Sequence, residues 1–552
     1  MVLPRAEGRK AYQSCRFIRK AKNYNELRLS VEAAKDSGVA TMPSLCQSLA
    51  LYQRTKRSVF VGDVVSFATQ SPRILFGEWM HRPSVLLLLC AALLLPMTAV
   101  ARLPGPLQAV PASKVRDLSE IRSSRVLRVL VNQSRNSSGE VQGQAIGVEY
   151  HRLRAFEQYL NGHARDGQEV TLKIIPKAKD QLLGALQRGE GDMVAPGELL
   201  DLPSGYAVAS SEPIASNVPL VLVGIKGQRR YTKVEQLSGK TLALPTGSAA
   251  GEVVSQLNQK LALHKLAPIN IEWVDPTLAV EDVLEMVQGG IFHLTIVEQP
   301  IAERWGKILP KLRLDRQLSL GEPGEEHWFV RRDASMLRAS IDRFLTGYKK
   351  PSDEDAAFLR IYRRLYQVHN PLAKGDRQRL EKLRPTLQKH ADAQNMDWLN
   401  LAALAFKESR LQPNARSGSG PTGLMQITPS AAQRVGVSNI QNLDANVQAG
   451  AKYLAMIRRK FFSSPKLNER ERMAFTLAAY NIGPERVQGM RAEARRRGLN
   501  PNQWFFQVER IAMEQVGMGA VSYVNSVNKY YLAFDRERES LEPRQQKVVT
   551  RK

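Results

Sequence analysis

Short apolar runs and amphipathic stretches alternate along residues 125–346. Stretches 126–131, 170–175, 218–223, 241–244, 269–273 and 294–297 are dense in Val, Ile and Leu, as buried strands are. Stretches 150–160 and 181–188 space their apolar positions by three and four, the period of a helix with one buried face. Residues 191–195 open a further strand. Such alternation predicts an α/β domain with a mostly parallel sheet. Near residue 350 the pattern changes. Lys349, Lys350, Pro351, Ser352 and Asp353 are linker chemistry, and Asn370-Pro371 is a second break. From about Pro385 onward the apolar spacing is helical almost throughout, until a charged stretch, 536–552, whose composition predicts disorder.

The longest apolar run lies ahead of all this. Its core, residues 85–95, is eleven residues long, within the range of a secretory h-region and short of the about 20 residues a spanning helix needs. Arg82 precedes it, and Ala99-Val100-Ala101 follows as an A-x-A cleavage pattern. The pattern predicts a signal peptide over 80–101, with translation starting at Met80, and an uncleaved anchor as the alternative. Residues 1–79 are then a spurious upstream extension outside the fold, with a real basic, weakly structured arm as the alternative. The partition read from these patterns is 1–79, 80–101, an α/β domain at 102–350, a linker at 351–384, a helical domain at 385–535 and a tail at 536–552.

Composition sharpens the picture at two points. The chain has 552 residues and a formal charge of +26; residues 1–101 hold 14 Lys/Arg and 6 Asp/Glu, so the remainder carries +18. That balance asks for an acidic partner. Export excludes nucleic acid and leaves an anionic polymer or an envelope membrane surface. The three cysteines, Cys15, Cys46 and Cys90, all precede residue 101, so the exported part has none, as suits an oxidising compartment. No disulfide framework, metal site or cofactor is expected.

The stretch 401–432, LAALAFKESRLQPNARSGSGPTGLMQITPSAA, carries the candidate chemistry. Asp397 is placed to cap a helix whose apolar positions are Trp398, Leu401, Ala402, Ala405 and Phe406. Glu408 then falls near its C-terminal end. Apolar neighbours and the negative end of the helix dipole both push a carboxyl upward toward the range of a general acid. The bland alternative is a solvated Glu beside Lys407. Gly418, Gly420 and Gly423 imitate a dinucleotide fingerprint, but they follow a helix and Pro421 interrupts them, so the required βαβ context is missing. No His follows His390 and no Cys occurs in the helical part, which excludes a Ser-His-Asp or Cys-His arrangement there. What remains is acid chemistry on a carboxylate. Asp444, Glu469 and Glu471 are the next acids; none lies in a motif that sets it opposite Glu408, and Asp444 is expected to cap the helix that follows.

Two resemblances add to this reading. Segments 127–133, 182–195, 237–250 and 283–299 occur in the order of the bilobal family 3 solute-binding proteins. That family's ligand Arg is absent from the matching stretch 196–201, and Glu298 stands where its ligand Asp would be. The resemblance implies a bilobal periplasmic-binding-protein-like fold with Glu298 in a cleft for a muropeptide or small solute; whether that cleft binds an amino acid, another ligand or acts in regulation stays open. Further on, Glu408-Ser409, then Ser417, then Gly423-Leu424-Met425-Gln426, then 478–484 (AAYNIGP) resemble the soluble lytic transglycosylase family over about 385–535. This implies an all-α lysozyme-like domain acting on peptidoglycan glycan strands at the periplasmic face of the outer membrane. Glu408 would be the acid/base. Ser417 would orient the substrate's acetamido group, and Gly423, Met425 and Gln426 would belong to the glycan groove. Tyr480 and Asn481 would support Glu408 and the sugar, and Tyr523 would face them. Pro421 replaces the usual Ala of the loop, and Gly519 replaces a usual Glu four residues before the tyrosine. The implied reaction closes a 1,6-anhydro ring. A lysozyme-like hydrolase with the same Glu408 and a non-catalytic wall or solute receptor remain as alternatives.

Overall fold

The computed structural model describes residues 116–135, 139–142, 144–162, 164, 167–200, 202, 204–351, 354–416 and 420–542. The extension 1–79, the signal segment 80–101 and Ser417 lie outside the described residues. Everything described below belongs to one compact unit, Pro104–Lys552.

The first lobe is built on strand Val126–Asn132, whose Leu127, Val129, Leu130 and Val131 are fully buried. A strand buried on both faces needs this near-continuous apolar run. It pairs in parallel with Thr171–Lys177 on one side and Met193–Ala195 on the other. Phe329–Arg331 and Val208–Ser210 complete the sheet, both in antiparallel pairings. Helices Val148–Asn161 and Ser335–Gly347 cover it through a core around Phe156, Trp328 and Phe344. In the second lobe, Leu220–Ile225 lies between Thr295–Glu298 and Leu312–Asp315, antiparallel to both, and Asn270–Trp273 runs parallel to Thr241–Leu244. The chain passes between the lobes along Ala215–Val218 and returns along Gly324–Glu326, which pair with each other. The sheets are therefore mixed and not mostly parallel as the alternation predicted. A strand that returns from the other lobe, such as Phe329–Arg331, enters the sheet from the opposite end and escapes the βαβ rule.

Two expected boundaries move. The stretch 351–384 is no free linker: it forms helices Glu354–Tyr362 and Lys374–Asp392. Phe358, Tyr362 and Tyr366 enclose Trp305 of the second lobe, with ring centroids 5.0, 5.4 and 4.8 Å away. Leu380, Leu383 and Leu387 carry the longer helix through Pro385, so the helical domain begins near 374. The tail is likewise folded as far as Glu542. Leu541 is buried, Arg538 pairs with Asp397 at 2.6 Å, and Glu542 accepts from the Trp398 indole. Among the described residues no helix is long and apolar enough to cross a membrane.

A buried ionic cluster joins both lobes to the helical domain. Arg135 of the first lobe lies 2.7 Å from Asp282 and 3.0 Å from Glu509, and its backbone N–H donates to Glu281 at 2.7 Å. Lys529 reaches Asp282 at 2.6 Å and also pairs with Glu285. Burial pushes the carboxyls of Glu281, Glu326 and Glu471 up to about 7. Such groups favour the folded state below the ordinary Glu range of about 4.3 and lose that contribution as pH rises through 7. Asp282 and Asp355, held low by neighbouring cations, act in the opposite sense and lose theirs only as pH falls below about 4. The thermal midpoint is therefore expected to be a few degrees higher at pH 5.5 than at pH 7.5. A midpoint in a melting scan that is flat or lower at pH 5.5 would contradict this.

Candidate active site

The helix Trp398–Ser409 begins at Asp397, whose Oδ1 accepts from Leu399 N–H at 3.0 Å, as expected. Its residues 399 and 401–405 are fully buried, and it ends where Arg410 and Leu411 turn left-handed at φ +53° and +58°. Ser409 ties this end to the following loop, its hydroxyl lying within hydrogen-bond reach of Leu424 O at 2.8 Å and Ala405 O at 3.0 Å. Glu408, half-buried one position earlier, accepts a hydrogen bond on Oε1 from the Tyr523 phenol. Burial raises the Glu408 pKa above the usual carboxylate range; the Tyr523 hydrogen bond and the Lys407 charge act downward. Burial and the nearby carboxylate both raise the pKa of Tyr523, so the phenol is a donor throughout the physiological range. Tyr523 reaches Glu408 from the long helix Met518–Arg536, and Gly519 in place of the usual Glu does not prevent it.

The loop at 420–428 is fixed by a residue that sequence reasoning missed. Asn446, on helix Leu443–Phe461, is buried; its Oδ1 accepts from Met425 N at 2.9 Å, and its Nδ2 donates to Thr422 O at 2.9 Å and Ile440 O at 3.0 Å. Gly423 crosses this amide at φ +77°, where an added Cβ would come within 2.3 Å of Nδ2. Only glycine meets both conditions. A lone Asn on the apolar face of an amphipathic helix was the available signal. Met425, expected in the groove, is fully buried and packs on Gly450, so its side chain belongs to the core. Its carbonyl instead accepts from Tyr480 at 3.0 Å. Gln426, left-handed at φ +45°, spends its amide on Ala415 O and Gly423 O at 3.1 and 2.8 Å. Asn481 is exposed at the end of helix Glu469–Ile482.

The other acids lie elsewhere. The Leu443–Phe461 helix is capped by Asn442 and not, as expected, by Asp444, which pairs at the surface with Lys389 and His390, both at 2.9 Å. Glu471 accepts from Trp504 N at 2.6 Å, and Glu469 pairs with Arg458 and Arg472. Glu298 belongs to a separate site. It is buried between the lobes, accepting from Leu199 N at 3.2 Å, beside a residual cavity of about 60 Å³. Lys179 lies 3.2 Å from Glu198 and 3.9 Å from Glu298. Lys179 and Glu198, which the sequence did not single out, thus fill the cleft with an internal ion pair.

A family model described as "Transglycosylase SLT domain" matches residues 385–503. A membrane-bound lytic murein transglycosylase F from Desulfosudis oleivorans is 28% identical over 403 residues, covering 71% of this chain and 83% of the relative. Proteins of the same name from Ectopseudomonas mendocina and Stutzerimonas stutzeri are 29% and 28% identical, covering 75% and 76% of this chain and 85% and 87% of their own. A solved amino acid ABC transporter substrate-binding protein from Streptococcus pneumoniae is 17% identical, with a TM-score of 0.35, over 45% of this chain and 97% of that one. The Glu408–Tyr523 pair lies in and just beyond the matched domain. Residues 385–503 match a transglycosylase SLT domain and follow a bilobal α/β domain, and along most of its length the chain is similar to the membrane-bound lytic murein transglycosylase F proteins.

Proposed function

We propose that this protein is a peptidoglycan lytic transglycosylase in which Glu408 is the single acid/base. The half-buried carboxyl of Glu408, hydrogen-bonded to Tyr523 and to no second acid among the described residues, is the observation that carries the reading. Ordinary glycosidases divide the work between two carboxyl groups. Here one group serves twice. Glu408 gives its proton to the glycosidic oxygen between N-acetylmuramic acid and N-acetylglucosamine as the C1–O bond breaks. The resulting carboxylate, steadied by the Tyr523 phenol, then takes the proton of the muramyl C6 hydroxyl while that oxygen bonds to C1. The products are a free 4-hydroxyl on one fragment and a 1,6-anhydro ring on the other. A nucleophile on the same sugar has a high effective concentration and outcompetes water.

Around this pair, Gly423, Gln426, Tyr480 and Asn481 are assigned to the glycan site, Met425 contributing through its backbone alone, and Ser417 is given, by the resemblance of its motif, the substrate's acetamido group. In this reading the first domain is 102–350 and the catalytic domain 385–535, the helices between them packing on the fold, the signal segment directs export, and the +18 charge holds the protein to the anionic wall and envelope surface on the periplasmic side. Glu298 marks a second, regulatory cleft in the first domain. Mass spectrometry of digested sacculi tests the reaction. The expected muropeptides are one water lighter than hydrolysis products. Products of full hydrolysed mass would show a lysozyme-type hydrolase.

A further inference from the structure

We infer that Lys407 is a positioning residue for Glu408, its ammonium held beside the carboxyl–phenol pair by Ser526. Successive helix residues point about 100° apart, so Lys407 does not approach its neighbour's carboxyl by default. It reaches instead across to the Tyr523 helix, where its Nζ donates to Ser526 Oγ at 3.3 Å and lies 6.0 Å from the centre of the Tyr523 ring. Ser526 stands one turn beyond Tyr523 and gives its own proton to Ser522 O at 2.6 Å, leaving a lone pair for the ammonium. The residue thus grips the helix that carries the Glu408 donor and puts a positive charge behind that donor. A Lys packed only through its methylene stem would need no such anchor.

The groups facing this ammonium come from every neighbouring element. Glu408 is on its own helix; Tyr523 and Lys529 are on the Tyr523 helix; Glu285 is on helix Val280–Gly289 of the second lobe; Tyr480 faces Glu408 from helix Glu469–Ile482. Burial and Lys529 weaken the hold of Lys407 on its proton, and Glu285 and Glu408 strengthen it. Its charge in turn favours ionised Glu408, the form that must accept the C6 proton. Catalysis begins with protonated Glu408, so the rate falls as pH rises past the Glu408 pKa. Removing the Lys407 charge lifts that limb and makes Glu408 a weaker acid, which slows proton transfer to the leaving oxygen.

The test rests on the function proposed above and is arranged to separate the two. Initial rates of muropeptide release from purified sacculi are measured across pH for the full chain, Lys407→Met, Lys407→Arg and Glu408→Gln. Lys407→Met is expected to move the alkaline limb up by about half a pH unit or more and to lower the plateau several-fold. Lys407→Arg is expected to keep the limb where wild type has it. An unmoved limb in Lys407→Met, or an equal shift in Lys407→Arg, overturns the inference while an inactive Glu408→Gln leaves the site reading standing. An active Glu408→Gln overturns both. Should Lys407→Met fail to fold, Ser526→Ala takes its place, with the limb moving the same way, and no movement there counts against the inference.

Discussion

Glu408→Gln is expected to reduce release of muropeptides from sacculi by about 1,000-fold or more, with no loss of thermal stability. The size follows from the double use of one group: the amide can neither give a proton to the leaving oxygen nor take one from the C6 hydroxyl, and general acid–base catalysis alone contributes about 10²–10⁴-fold. The preserved fold follows from the geometry. The Gln carbonyl can still accept from the Tyr523 phenol, and the desolvation cost that raises the Glu408 pKa disappears with the charge. The melting midpoint should therefore stay level or rise slightly, as it does where a functional group is held at a cost to stability. Rates within tenfold of wild type would remove Glu408 from the chemistry. A collapse in melting temperature together with the rate would make its role structural.

The motif positions of the candidate site were more legible in the sequence than the strand directions. Glu408, the glycine at 423 and Tyr523 are specified by motifs, because a reacting carboxyl, a crowded left-handed turn and a buried phenol each tolerate few side chains. The longer apolar strands, such as Val126–Asn132 and Leu220–Ile225, were legible too, whereas short strands of mixed character, such as Ala215–Val218, Leu312–Asp315 and Phe329–Arg331, were not. Strand direction was not, because the lobes are joined by strands that leave and return. The helices at 354–362 and 374–392 were hidden by Pro351, Pro371 and Pro385, which mark breaks in isolation. The apolar spacing of Leu380, Leu383 and Leu387 outweighs Pro385 once there is a surface to bury against. Met425 illustrates a different limit. Its motif fixes the loop, but which side of the loop faces the core depends on Gly450 and Asn446, far along the chain.

Arg135→Met is expected to be the most destabilising single change, by about 3–5 kcal/mol, or roughly 10 °C in melting midpoint. Arg135 is 3% exposed and touches all three parts of the fold: its own lobe, Glu281 and Asp282 at the start of helix Val280–Gly289 in the second lobe, and Glu509 of the helical domain. Its guanidinium also lies over the Phe506 ring at 4.7 Å. That ring belongs to an irregular turn in which Phe506 has φ +62° and its N–H donates to Glu509 at 2.9 Å. Without the guanidinium, Glu281, Asp282 and Glu509 remain buried, with Lys529 as the cation in the cluster. A buried carboxylate that has lost its counter-ion is relieved by protonation. The loss should accordingly be smaller at pH 5 than at pH 7.5, because lower pH neutralises Glu281 and Glu509, whose pKa values burial already raises. A substitution that merely opened a cavity would cost the same at both. Arg496→Met, which breaks an exposed pair with Glu493, serves as the control and should change the midpoint little. Equal losses at the two pH values, or a midpoint within 2 °C of wild type, would mean that the cluster does not hold the two domains together.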